Sequence, residues 1–278
     1  MGIDKNSVIL KLYNFWEKFN CNLIQSMESE IEDPLYNINV FFRMLESEPW
    51  NVMFTQKCFS AKNFIGDKNL NIIGNFSKFQ VVLNAEKVDY QNVFIKSLED
   101  LGFDLRNKNL FFKTRNLEKT AFGIDGFGYN VLIDNNFVGK IIYIQRVGSI
   151  NCKAIPVSIS YNIEIITMLL QKKDSIWDID ISENSPNKYS DFMFETEQET
   201  ADFIKNVSIE RLMKNLIGSE SIAIELLEKK LIFPSYKYIL RVKYYLDIIN
   251  CRNILSSGDK GVYAKNIRGL IENCSKEY

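Results

Sequence analysis

The chain has 278 residues, enough for one large domain or two modest ones, with 46% hydrophobic residues, 25% charged residues and a formal net charge of −1. This balance belongs to an ordinary globular protein and excludes a broad basic footprint for nucleic acid; no run of about 18 apolar residues offers a membrane span. Histidine is absent altogether, which excludes a Ser-His-Asp triad, a Cys-His pair and histidine-ligated zinc and leaves chemistry to carboxylates, Lys, Arg, backbone dipoles or a bound metal.

The opening residues, MGIDKNSVILKLYNFW, carry charges inside any signal-like core and lack a small-residue cleavage site. The five cysteines are widely spaced, odd in number and without a CxxC pair, so free thiols in a reducing cytoplasm are expected. Residues 7–20 read as an amphipathic helix with Val8, Leu12, Phe15, Trp16 and Phe19 on one face, and 36–46 as a second helix. Strand patterns follow at 51–56, 76–83, 109–113, 128–133 and 137–145, with Asp134, Asn135 and Asn136 as a hairpin turn between the last two. A helix at 88–101, apolar at Val93, Phe94, Leu98 and Leu101, is stopped by Gly102. Alternation at Ile155, Val157, Ile159, Tyr161 and Ile163 gives way to a helical stripe ending near Gln171. The polar stretch at 182–190 is a connector, after which helices are expected at 197–216, 219–230, 235–250 and 258–275. The fold class is α+β, with a mostly antiparallel sheet through about residue 180 and a helical unit from 190 to 278. The absence of βαβα alternation disfavours a doubly wound nucleotide fold.

Three stretches invite a functional reading. FGIDGFGYN (122–130) is glycine-rich, but it does not close a strand and open a helix as a dinucleotide fingerprint does, so close backbone packing is preferred. Lys237, Arg241 and Lys243, interleaved with tyrosines, read as a solvated helix face in preference to a nucleic-acid contact. Glu164 is a carboxylate in a nearly all-apolar run where strand becomes helix. It is either the polar edge of that helix, held by N-terminal amides, or part of a site.

A wider pattern gathers these pieces. FWEKFNCNLIQ (15–25), FFRMLESEPWNVMFTQ (41–56), FSKFQVVL (76–83), FGIDGFGYNV (122–131), IYIQRVGSINCKAI (142–155), SYNIEIITMLLQKKDSIWD (160–178) and FPSYKYILRVKYYLDIINCRNIL (233–255) together resemble the alpha subunit of the two-chain bacterial glycyl-tRNA synthetase, in order and spacing, from about residue 8 to 275. The resemblance implies a class II aminoacyl-tRNA synthetase core, an antiparallel sheet flanked by helices, followed by a helical C-terminal domain. It implies ATP, Mg2+ and glycine as ligands, tRNA(Gly) and a beta subunit as partners, and a homodimer formed through motif 1 around Arg43, Pro49 and Trp50. It places Glu164 at the motif 3 glutamate and Gln145 beside the reacting centre as catalytic residues. It makes Phe79, the adenine-stacking phenylalanine, nucleotide-binding together with Gln80 and Lys153. No metal ligand is assigned.

The chain departs from the family where arginines are expected. Motif 2 has Phe59 and Ser60 in their places, the later loop positions hold Ile65 and Ile72, Asn75 replaces a histidine, and Ile165 follows Glu164. The acidic run before the next loop has become KTRN (113–116). Each lost charge-assisted bond is worth about 1.5–3 kcal/mol. Lys57, Lys62, Lys78 and Arg146 are the cations nearest in sequence that can stand in. Two functions follow as expectations: a divergent alpha chain that activates glycine, or a catalytically inactive class II-like protein that binds a partner or a small molecule.

Overall fold

The computed structural model describes residues 3–26, 30–48, 50–65, 71–84, 88–118, 120–182 and 185–278. In chain order the elements are α1 (Lys5–Glu17), β1 (Asn22–Leu23), α2 (Ile38–Phe41), β2 (Asn51–Phe59), α3 (Ala61–Ile65), β3 (Asn75–Leu83), α4 (Tyr90–Leu101), β4 (Leu110–Leu117), β5 (Asp125–Ile133), β6 (Asn136–Val147), β7 (Ile150–Asn151), β8 (Val157–Asn162), α5 (Ile163–Leu170), α6 (Ser190–Asn206), α7 (Ile209–Glu228), α8 (Ile232–Cys251) and α9 (Ser257–Glu277). The strands form one eight-stranded sheet in the order β1-β2-β3-β8-β6-β5-β4, with β7 folded back on β6. Every pairing is antiparallel except β1 with β2.

Alternation along the strands divides the sheet into two faces. One face buries Phe79, Val81, Ile159 and Tyr161 against α1, α4 and α5, through Leu12, Trp16, Phe94 and Ile166. Tyr161 is at the centre of this layer: Phe94 stacks on its ring at 4.5 Å, and Trp16 Nε1 donates to its hydroxyl at 3.2 Å. The other face buries Phe54, Val82, Ile142 and Ile144 against α2, α8 and α9, through Phe41, Tyr236, Ile248 and Ile271. One apolar core therefore runs from the sheet into the C-terminal helices.

Local chemistry explains most boundaries. Asp4 caps α1 by accepting from Ser7 N, and Asp89 caps α4 by accepting from Asn92 N. Gly102 ends α4 at φ 111°, the left-handed C-terminal conformation. Asp134 and Asn135, at φ 48° and 66°, make the two-residue β5–β6 turn. In the glycine-rich stretch, a Cβ on Gly128 would lie 1.9 Å from Ile141 O, so the neighbouring strand excludes any side chain there.

Two expected helices differ. The segment 36–46 is a broken run: a 3-10 turn at Pro34–Tyr36, the four residues of α2, and a second 3-10 turn at Phe42–Leu45. The break expected between 216 and 219 does not occur, because α7 runs through Gly218. The helices separate instead at Val207–Ser208, where Ser208 caps α7 by accepting from Arg211 N. Part of the polar connector, residues 183–184, and Pro49 lie outside the described residues.

Candidate functional site

A cavity of about 470 Å³ opens where the sheet face that carries α8 further along continues beyond the apolar core. Its walls come from the 31–37 segment, the stretch around Ser60 to Asn63, residues 71–76 and the start of α5. Its floor is the sheet itself. Lys78 on β3 lies opposite Asn162 on β8, and Lys140 on β6 lies opposite Ser160 on β8 and Asn130 on β5. Arg115 on β4 lies opposite Gly128 and donates from Nη1 to Asn130 Oδ1 at 3.3 Å. Lys78, Lys140 and Arg115 thus share one face and line the same cavity.

Charge in the cavity is largely paired. Lys140, only 5% exposed, forms an ion pair with Asp33. Burial alone would raise the Asp33 carboxyl, but Lys140 and Lys78 outweigh it and hold the group well below the usual carboxylate range. Lys62 pairs with Glu32 at 2.8 Å, and Glu32 also faces Lys243 of α8 at 3.8 Å. Deeper in the sheet lies a buried polar layer. Gln56 accepts from Ser26 Oγ at 2.8 Å and Asn37 Nδ2 at 3.2 Å.

Glu164 lies at the first turn of α5, on the cavity wall and 2% exposed. The amide that holds it is not one of its own helix but Ser77 N of β3, which reaches both oxygens at 3.1 and 2.9 Å. Lys5 Nζ pairs with it at 2.6 Å, and Tyr189 OH donates at 3.4 Å. The carboxylate thereby ties α1, β3 and α5 to the residue that opens α6. A second buried carboxylate, Glu197 of α6, accepts from Gly74 N at 2.9 Å and Asn75 N at 2.7 Å. Burial raises its pKa, against the lowering effect of those two amides.

The other expected site residues are scattered. Phe79 does not face the cavity: it is fully buried on the opposite face of the sheet, edge-on to Tyr13 at 4.9 Å. The parity of β3 puts Phe76, Lys78, Gln80 and Val82 on the cavity face, so Phe76 is the aromatic ring that lines the site, with Lys78 Nζ 5.2 Å from its centroid. Gln80 is on the right face but completely buried. It donates to Ser158 Oγ at 2.9 Å and Val81 O at 2.8 Å, and its Oε1 has no partner among the described residues. Gln145 is exposed at the far end of β6, beside Arg146, which pairs with Asp125 at 2.7 Å. Lys153 is exposed in the β7–β8 connection. Neither Gln145, Arg146 nor Lys153 lines this cavity, whereas Ser60, Ile72 and Ile165 do. Trp50 is half-buried and donates to Arg43 O at 3.2 Å. Asp33, Phe76, Arg115 and Lys140 were not singled out from the sequence; strand parity around Lys78 is the signal that would have found Phe76.

A mainly antiparallel sheet with helices on both faces, and a cavity where the cover of one face ends, is the arrangement of a class II aminoacyl-tRNA synthetase-like chain. The chain belongs to the glycyl-tRNA synthetase alpha subunit family, whose family model matches residues 5–278. Among solved structures it is similar to two of the pyrrolysyl-tRNA synthetase from Desulfitobacterium hafniense. Both have a TM-score of 0.45 and 9% identity; one covers 63% of this chain and 72% of the other, the second 65% and 74%.

Proposed function

We propose that the chain is a divergent alpha subunit of a glycine–tRNA ligase. It activates glycine with ATP, the glycine carboxylate bonding to the α-phosphate as pyrophosphate leaves, and passes the glycyl group to tRNA(Gly). The observation that carries this reading is family membership across residues 5–278 together with a cavity of about 470 Å³ on the exposed sheet face, a size that suits a small-molecule or nucleotide site. In this reading Phe76 takes the place expected of Phe79 as the aromatic wall, and Glu164 positions β3 and α5. The working form is a cytoplasmic homodimer closed through Arg43, Pro49 and Trp50, joined to a beta subunit that takes much of the tRNA.

The residues suit ATP better than a resident metal. Glu32, Asp33 and Glu164 are each already matched by a lysine. Among the described residues, no group of three or more His, Cys, Asp or Glu is placed to hold a metal ion. The described carboxylates that line the cavity therefore do not fit a dedicated Mg2+ site.

A second reading, an inactive binding module, draws on one specific feature. Three of the places where family arginines are expected hold neutral cavity-lining side chains: Ser60, Ile72 and Ile165. Glycine-dependent ATP–pyrophosphate exchange, measured with and without a beta chain, separates the two. Exchange above background supports the ligase; none under either condition leaves the binding module.

A further inference from the structure

A second cavity lies beside the first. It measures about 510 Å³, a volume that suits a small organic ligand, and it is bounded by α3 and the last turns of α8, with no strand residue in its walls among the described residues. The Lys62–Glu32 pair lines both cavities. On α8 the helical period sets Lys243, Asp247, Asn250 and Cys251 on one face, and the last three line the second cavity. The cations nearby are committed. Lys243 is held between Asp247 and Glu32, 3.8 Å from the latter, and Lys62 is taken by Glu32 and is 73% exposed. Asn250 Oδ1 is buried and has no hydrogen-bond partner among the described residues, a cost that folded chains rarely leave unmet. The last turn of α8 contains no basic residue to face the negative end of the helix dipole. The guanidinium of Arg252, the next residue, donates instead to Val207 O at 2.6 Å. Burial raises the Asp247 carboxyl, and Lys243 only partly offsets it.

We propose that this second cavity binds a primary alkylammonium group, which donates to Asp247 and to Asn250 Oδ1 while its hydrocarbon lies along Ala61 and Ile65. An ammonium has three donors and no acceptor, so one group answers a carboxylate and an orphan carbonyl oxygen together. Its charge suits the C-terminal end of a 20-residue helix that supplies none of its own there. A carboxylate ligand would meet Asp247 as a like charge. A metal ion fits less well, because no group of three or more His, Cys, Asp or Glu is placed to hold one among the described residues. Ala61 and Ile65 give an alkyl chain an apolar wall that a hydrated inorganic ion would not use. The site does not rest on glycine activation.

The test is a ligand-observed nuclear magnetic resonance titration of the full-length protein with butylamine. Asp247→Asn and Asn250→Leu are each expected to weaken binding about tenfold. Asn250→Leu keeps the side-chain size and removes an acceptor that has no partner, so the fold is expected to survive it. Asp202→Asn, which removes an exposed carboxylate on α6, is expected to leave binding within about twofold. Unchanged affinity in both cavity variants, or no binding to the wild type up to about 10 mM butylamine, overturns the site. So does equal or tighter binding of butyrate, the same chain with the opposite charge, or of glycine, which would assign the cavity to the amino-acid substrate. Nα-acetyl-lysine methylamide separates the two sources of an alkylammonium. Binding tighter than that of butylamine names a lysine side chain of a partner protein, weaker binding names a free amine, and both keep the site. Should Asp247→Asn fail to fold, the wild-type chain decides through Cys251, a free thiol on the cavity wall. Butylamine is expected to slow its modification by a methanethiosulfonate reagent and to leave Cys152, outside the cavity, unchanged. A Cys251 rate that is indifferent to the amine overturns the proposal.

Discussion

Glu164 is the residue at which sequence and structure meet most directly. An acid at a strand–helix junction is visible in the sequence; its partners are not, because Lys5 and Ser77 lie 159 and 87 residues away. Removing one member of a buried ion pair leaves the other charge uncompensated. Glu164→Ala is therefore expected to cost about 3–5 kcal/mol, read by urea unfolding; a loss under about 1 kcal/mol would mean that the tie between α1 and β3 is idle. Asp33 gives a prediction in pH. Its folded pKa is depressed, so its stabilisation is present above the ordinary carboxylate pKa, about 4, and is lost as pH falls through that value and below. The stability gap between wild type and Asp33→Asn should be widest near neutrality and should shrink below about pH 4. A gap constant from pH 7 to pH 3 would mean that the Lys140 pair contributes nothing. Phe79 is the residue whose placement strand parity corrects at this scale. FSKFQVVL sets Phe79, Val81 and Leu83 on one parity and Phe76, Lys78, Gln80 and Val82 on the other, so the more polar parity faces the cavity and Phe79 is buried under α1, α4 and α5.

At the scale of elements, alternation and caps located the strands well, and the elements that were missed have identifiable causes. The helix was expected to end at 216, yet it runs on through Gly218, because a mid-helix glycine merely lowers propensity, and the Ser208 cap sets the true boundary. Space around these glycines yields opposite outcomes. Nothing lies within 4 Å of a Cβ built on Gly218, so Gly218→Ala should stabilise by about 0.5–1 kcal/mol. Gly128→Ala should destabilise by about 1–3 kcal/mol or more, because the new carbon meets the backbone of β6. Thermal unfolding of both variants checks the pair, and two shifts in the same direction would contradict this account of β5–β6 packing. The cavity was the least legible element. Its floor is drawn from β3, β8, β6 and β4, whose order in space is not their order in the chain.

For the whole molecule, the sequence changes period from two to 3.6 near residues 180–190, and a boundary between two units was expected on that ground. What the sequence could not carry is that the core continues across it: Phe41 packs on Tyr236 at 4.9 Å, and Tyr236 OH donates to Tyr36 O at 2.9 Å. Despite two compositional units, the chain is expected to unfold in a single transition, with near- and far-ultraviolet circular dichroism coincident. Two separated transitions would mean that the C-terminal helices are an independent domain. The proposed homodimer is a matter of the same scale. Sedimentation at tens of micromolar should give twice the chain mass of 32.4 kDa, and Trp50→Ala should shift it toward the monomer.

The five cysteines are all free, and three of them lie in different parts of the fold. Cys21 packs with the α1–α4 layer, Cys274 with the C-terminal helices, and Cys58 is on β2 on the cavity side of the sheet. Burial pushes the thiols of Cys21 and Cys58 up to about 12 and raises that of Cys274. A thiol so protonated and enclosed is nearly inert to maleimides until its surroundings open. The native chain is thus equipped with three built-in clocks: the alkylation rate of each sulfur times the breathing of one layer, and a ligand seated in the cavity, which Phe76 opposite Cys58 lines, should slow the clock at Cys58 while leaving the one at Cys21 running at its former pace.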